Sequence, residues 1–147
     1  MNLELARLPE VFDRDRWGVE VRPIVAWESA RWLFAVNPIV DASLAGSGWD
    51  DGSTFEPALM AKYKIEGKVA VGFEYYANLG PIVRPSSWSE QEHYLFEAFD
   101  FLSIGRFELN AGLGEGFGAG SNDLVLKFIA GYVWDKSARR SDLRGRL

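Results

Sequence analysis

Reading every second residue along this chain uncovers long faces that carry no charge. From Trp17 the series runs Trp17, Val19, Val21, Pro23, Val25 and Trp27, and the next runs Trp32, Phe34, Val36, Pro38, Val40, Ala42 and Leu44. Two more follow: Phe55, Pro57, Leu59, Ala61, Tyr63 and Ile65, then Val69, Val71, Phe73, Tyr75, Ala77 and Leu79. Toward the C-terminus the pattern returns as Phe107, Leu109, Ala111 and Leu113, then Leu124, Leu126, Phe128, Ala130, Tyr132 and Trp134. Side chains alternate across a strand, so each series is one apolar face of a strand whose other face is mixed. About ten such residues are what a tilted strand needs to cross the hydrocarbon core of a bilayer.

The pattern predicts strands over 3–8, 16–27, 31–44, 55–65, 68–79, 93–99, 106–113 and 123–134. The sixth has apolar residues in both phases, and Tyr94, Phe96 and Ala98 make the cleaner apolar face, with His93, Leu95 and Glu97 opposite. Pro23, Pro38 and Pro57 fall inside strands, where each removes a ladder hydrogen bond, and local bulges are expected there. The connections alternate in length. Short ones lie at 28–31, 66–67 and 102–105, and long ones rich in Gly, Ser, Asp or Pro lie at 45–54, 82–92 and 115–122. Outer-membrane barrels have short periplasmic turns and longer external loops. With the last strand ending in the periplasm, every short link falls on that side.

Alternation alone does not say which face meets solvent, because a soluble barrel holding a hydrophobic ligand alternates as well. An eight-stranded barrel has an interior just wide enough for side chains or one small ligand, and the apolar faces above hold too many Trp, Phe, Tyr and Leu residues for it. The mixed face suits an interior better. It intersperses Ala35, Ala58, Ala70, Gly72, Gly112 and Gly114 with Glu20, Arg22, Asn37, Asp41, Lys62, Glu74, Arg106, Glu108, Asn110 and Lys127. Of these Glu20, Arg22, Asp41, Lys62, Glu74, Arg106, Glu108, Asn110 and Lys127 are the candidate lumen-lining residues. Trp17, Trp27, Trp32, Tyr63, Tyr132 and Trp134, with Phe55 and Phe107, lie near strand ends, where an aromatic girdle anchors at the interfaces. The expectation is an all-β, antiparallel up-and-down transmembrane barrel over 1–134, with about eight strands visible.

Composition narrows the picture further. The chain is 48% hydrophobic and 25% charged, which excludes general disorder, and no apolar run reaches the roughly 18 residues of a spanning helix. With no cysteine there is no disulfide, thiolate metal site or cysteine nucleophile. A net charge of −5 argues against nucleic acid as the partner. Residues 1–9 show no basic segment followed by an apolar core, so no signal peptide is read there. The opening residues instead resemble the end of a strand, and the chain is expected to be N-terminally incomplete. Two unpaired edges would then favour self-association or aggregation.

The strand ending Tyr132-Val133-Trp134 resembles the C-terminal assembly signal of bacterial outer-membrane proteins, with Lys127 at that signal's polar position and Ile129 where Gly is usual. The stretches Glu20-Val21-Arg22-Pro23-Ile24, Arg31-Trp32-Leu33-Phe34-Ala35-Val36-Asn37-Pro38-Ile39, Phe55-Glu56-Pro57-Ala58-Leu59 and Gln91-Glu92-His93-Tyr94-Leu95-Phe96-Glu97 are similar to uncharacterised proteobacterial outer-membrane β-barrel proteins. These are grouped with transporters of the phenol-degradation meta-pathway type. The resemblance covers residues 3–134. It implies a barrel, an outer-membrane address and delivery by the outer-membrane assembly machinery, and says little about cargo. Residues 135–147 run past the expected terminal aromatic with five basic residues in thirteen. They read as a disordered extension, with contact to anionic headgroups or RNA as the alternative.

Little points to catalysis. His93 is the sole histidine and reads as structural. A hydrolytic arrangement would need Ser86, Ser87 or Ser89 beside it, and there is no Gly-x-Ser-x-Gly elbow. The alternate glycines from Gly112 to Gly120 lead into a loop rather than a strand–loop–helix phosphate cradle, and Asp50-Asp51-Gly52 reads as a polar loop tip. No cofactor or metal is expected. The carboxylates Glu20, Asp41, Glu56, Glu74, Glu97 and Glu108 are assigned to the mixed face with Arg22, Lys62, Lys64, Arg106 and Lys127. They form either a paired network filling a narrow lumen or the selectivity lining of a pore. The sequence therefore suggests a passive channel for small solutes in the outer membrane. The alternatives are a non-conducting structural barrel and a soluble ligand-binding barrel.

Overall fold

The structure is a computed structural model describing residues 2–6, 15–46, 52–66, 68–104, 106–132 and 134. The basic stretch 135–147, the acidic pair Asp50-Asp51 and the loop 9–14 lie outside the described residues. The described chain is all-β. Its strands are β1 (Asn2–Ala6), β2 (Asp15–Arg22), β3 (Val25–Glu28), β4 (Trp32–Gly46), β5 (Ser53–Ile65), β6 (Val69–Asn78), β7 (Glu92–Ile104), β8 (Phe107–Gly116) and β9 (Leu124–Tyr132). Each pairs antiparallel with the next along one sheet, in the order β1-β2-β4-β5-β6-β7-β8-β9, with β3 also on β4. Val21 faces Val40 and Val25 faces Val36, which is one register, so β2 and β3 are two halves of one interrupted strand. The sheet is an eight-stranded meander. Hydrogen bonds do not close it, and β1 and β9 are its edges.

The register explains the interruption. The Trp32 carbonyl accepts from Ser29 N–H at 2.9 Å, whereas the neighbouring Arg31 carbonyl accepts from Lys64 N–H at 2.8 Å. Even-numbered residues of β4 therefore turn their backbone polar groups toward β2 and β3. Pro38 is one of these, and the shared register puts Pro23 opposite it. Neither has an N–H to give, so the ladder lapses at Pro23 and Ile24. Bulges do not form at the prolines: Pro38 stands directly across from Pro57 in unbroken register. The register shifts lie elsewhere, between Asp15 and Gly18 and between Phe101 and Ile104.

Among the described residues no second layer packs on the sheet, yet Lys62 is 1% exposed and Glu74 5%. A single sheet hides a side chain only by curling around it. The concave side carries the mixed face, and the convex side carries the apolar series read from the sequence. One strand departs from expectation. The pairing of Phe73 with Glu97 and Tyr75 with Leu95 places Leu95, Glu97, Phe99 and Phe101 on the convex side. Tyr94, Phe96, Ala98 and Asp100 face the interior, where Phe96 and Ala98 are buried. Leu95, Phe99 and Phe101 make one phase of β7 as apolar as the other, so only its neighbours decide its facing.

Walking across the sheet from Lys127, register partners run Gly112, Ala98, Gly72, Lys62 and Leu33.

Candidate functional site

On the concave face one charged cluster spans β5 to β9. The Lys62 ammonium lies 2.5 Å from Glu74 Oε1 and 2.6 Å from Asp100 Oδ2. Lys127, from the edge strand β9, reaches the other oxygen of Glu74. The Tyr76 hydroxyl donates to Glu74 Oε2 at 2.5 Å, and the Asn110 amide donates to Glu74 Oε1 at 3.2 Å and to Asp100. Two ammoniums meet two carboxylates, with every Glu74 oxygen shared. Such pairing is what allows Lys62 and Glu74 to be buried at all.

Small residues make room for this. Between Lys62 and Lys127 the row holds only Gly72, Ala98 and Gly112, so both long side chains lie along the sheet toward Glu74. Lys127 also stands 5.3 Å from the ring centres of Tyr76 and Phe96. A methyl group at Gly114 would sit 2.5 Å from the Phe96 ring, and one at Gly72 would sit 2.1 Å from the Ala61 carbonyl oxygen. These glycines are set by close approach.

Of the residues singled out in the sequence, Lys62, Glu74, Asn110 and Lys127 meet in this cluster. Glu20 and Arg22 form their own pair on β2 at 2.9 Å, and Asp41 faces Glu20 across the ladder, toward the long-loop end. Glu108 is half-buried on the concave side opposite Gly131. Arg106 stands exposed at the β7–β8 turn, its guanidinium 3.4 Å from the Tyr132 hydroxyl. Glu97 lies on the convex face, contrary to its assignment from the sequence. Tyr76 and Asp100 belong to the cluster and were missed. Tyr76 carried a signal, standing two residues after Glu74 and so on the same face. Asp100 lay past the expected end of its strand.

The aromatic residues also separate by end. Trp27, Trp32, Tyr63, Phe107, Tyr132 and Trp134 lie on the convex side near the short turns. Ring pairs form at Trp32–Tyr63 (5.2 Å), Phe107–Tyr132 (5.1 Å) and Tyr132–Trp134 (4.8 Å). Trp17 lies near the opposite end of the sheet, paired with Ala45.

His93 sits at the long-loop end, 2% exposed, its ring stacked between Trp88 (4.3 Å) and Phe117 (5.4 Å). Gln91 Oε1 accepts from Nε2–H at 3.1 Å, which leaves Nδ1 to accept from the Tyr75 hydroxyl at 2.7 Å. Neither ring nitrogen meets a serine. Ser87 instead binds Glu90 through its hydroxyl (2.8 Å) and backbone N–H (3.1 Å), which holds the Glu90 carboxyl below the usual carboxylate range. Ser121 bonds the His93 backbone. The arrangement ties 79–92 to 117–122. Among the described residues no group of acidic, histidine or cysteine side chains is placed to hold a metal ion. No family model, curated protein or solved structure matches the chain.

Proposed function

We propose that this sheet is wall of an outer-membrane β-barrel and that the barrel is a passive channel for small solutes. The observation that carries the reading is a reversed distribution of burial. Lys62 and Glu74 are sunk in the concave side, while Phe128 is 71% exposed, Phe73 53% and Phe99 51% on the convex side. A sheet in water does the opposite, and an apolar surface of this extent marks contact with lipid or a partner. The alternation of short and long connections and the aromatic residues at the short-turn end agree with it. Closure requires β1 and β9 to pair, with each other or with strands outside this sheet, because an open edge has no hydrogen-bond partner in a bilayer.

The test is refolding into detergent micelles and phospholipid vesicles, followed by electrophoresis with and without boiling. The expected result is a heat-shifted band and protease protection in lipid, with aggregation when detergent is withheld. A chain that stays folded and monodisperse in plain buffer overturns the reading. Planar-bilayer recording then separates a channel from a second reading, a non-conducting structural barrel. That reading is favoured by one observation: the cluster around Glu74 is neutral within itself and crosses five strands. Discrete conductance steps support the channel, and their absence from a correctly inserted barrel supports the plugged form.

A further inference from the structure

One carboxylate stands in the middle of the convex face. Glu97 on β7 has Phe73 and Leu113 as its register neighbours. It is exposed, and it has no hydrogen bond or ion pair to any other described residue. Another carboxylate on this face, Glu115, lies at the end of β8. Beside Glu97 the surface opens into a recess of about 470 Å³. Its cause is Ala61, whose methyl stands in a row between Phe34 and Phe73 where the neighbouring positions carry large side chains. Trp32, Tyr63, Phe73 and Phe99 wall the recess, and Glu97 closes one side.

We propose that Glu97 and this recess bind a lipophilic amine. Its apolar body seats over Ala61 between the aromatic walls, and its one protonated nitrogen meets the Glu97 carboxylate. The inference rests on the reading of this face as membrane-facing, which makes a carboxylate without a partner costly there. A lipid acyl chain would fill the recess but leave the carboxylate unpartnered. A second copy of the sheet presents no Lys or Arg on the described part of this face. A cation with a hydrocarbon body satisfies both halves of the site, the aromatic walls adding attraction for its charge. The volume falls within the roughly 300–1,000 Å³ of small-molecule sites.

The test uses the refolded chain in phosphatidylcholine vesicles, with brominated dodecylamine and brominated dodecanol as quenchers of Trp32 fluorescence. The Trp32 signal is taken as the difference from Trp32→Phe. Quenching by the amine is expected to half-saturate at a membrane concentration at least about tenfold below that of the alcohol, the worth of a charge-assisted hydrogen bond. Glu97→Gln removes the difference, and Ala61→Leu, which fills the recess, weakens quenching by both. Equal quenching by amine and alcohol in the unaltered chain overturns the proposal, as does a preference that survives Glu97→Gln. Failure of the membrane reading shows separately, as no quenching by brominated phospholipid. The same pair of probes compared in buffer then tests the site by itself.

Discussion

Lys62 joins the two carboxylates of the charged cluster, because its ammonium answers both Glu74 and Asp100. Lys62→Met is expected to leave a buried carboxylate uncompensated and to destabilise the folded chain by about 3–5 kcal/mol, measured by urea titration in vesicles. Lys127→Met removes a more exposed partner and leaves Lys62 in place, so its effect should be clearly smaller in the same titration. The glycines give a second contrast. Gly114→Ala presses on the Phe96 ring, a side chain that can be shortened, and Phe96→Leu should restore most of the lost stability. Gly72→Ala presses on the backbone of β5, and no single side-chain change should rescue it. The close approaches behind these glycines were not visible in the sequence, where they read only as small residues on a mixed face.

At the scale of the strand, the missing donors of Pro23 and Pro38 break one ladder, so restoring a donor should mend it. Pro38→Val gives the position an N–H facing Pro23 and is expected to stabilise the chain by about 1 kcal/mol. Deuterium exchange should slow at Val25 and Val36, the next bonded pair of that ladder, and unchanged exchange there would count against the register argument. The eight strands were legible because alternation over ten or more residues has no other reading, and so was the sequence of short and long connections. The consequence of the prolines was not, since it depends on which proline faces which across the ladder. Nor was the facing of β7, where Leu95 and Phe99 compete with Tyr94 and Phe96 and only the pairing with β6 decides. That one strand carried Glu97 to the convex side and Asp100 into the charged cluster.

For the whole molecule the two faces make opposite demands on a new charge. Leu113→Arg on the convex side should impair insertion into vesicles and destabilise by about 2–4 kcal/mol. Val125→Arg on the concave side should leave insertion intact, both being read by protease protection. Equal tolerance at the two positions would remove the distinction between faces on which the membrane reading stands. The cluster around Glu74 bears on the order in which such a sheet is completed. Its two carboxylates and Lys62 are all in place once β7 has joined, but the second ammonium belongs to β9. Until that edge strand docks, the cluster carries one uncompensated negative charge. A partly assembled sheet is thus electrostatically unfinished at its charged centre, and the arrival of its edge strand is what makes that cluster neutral.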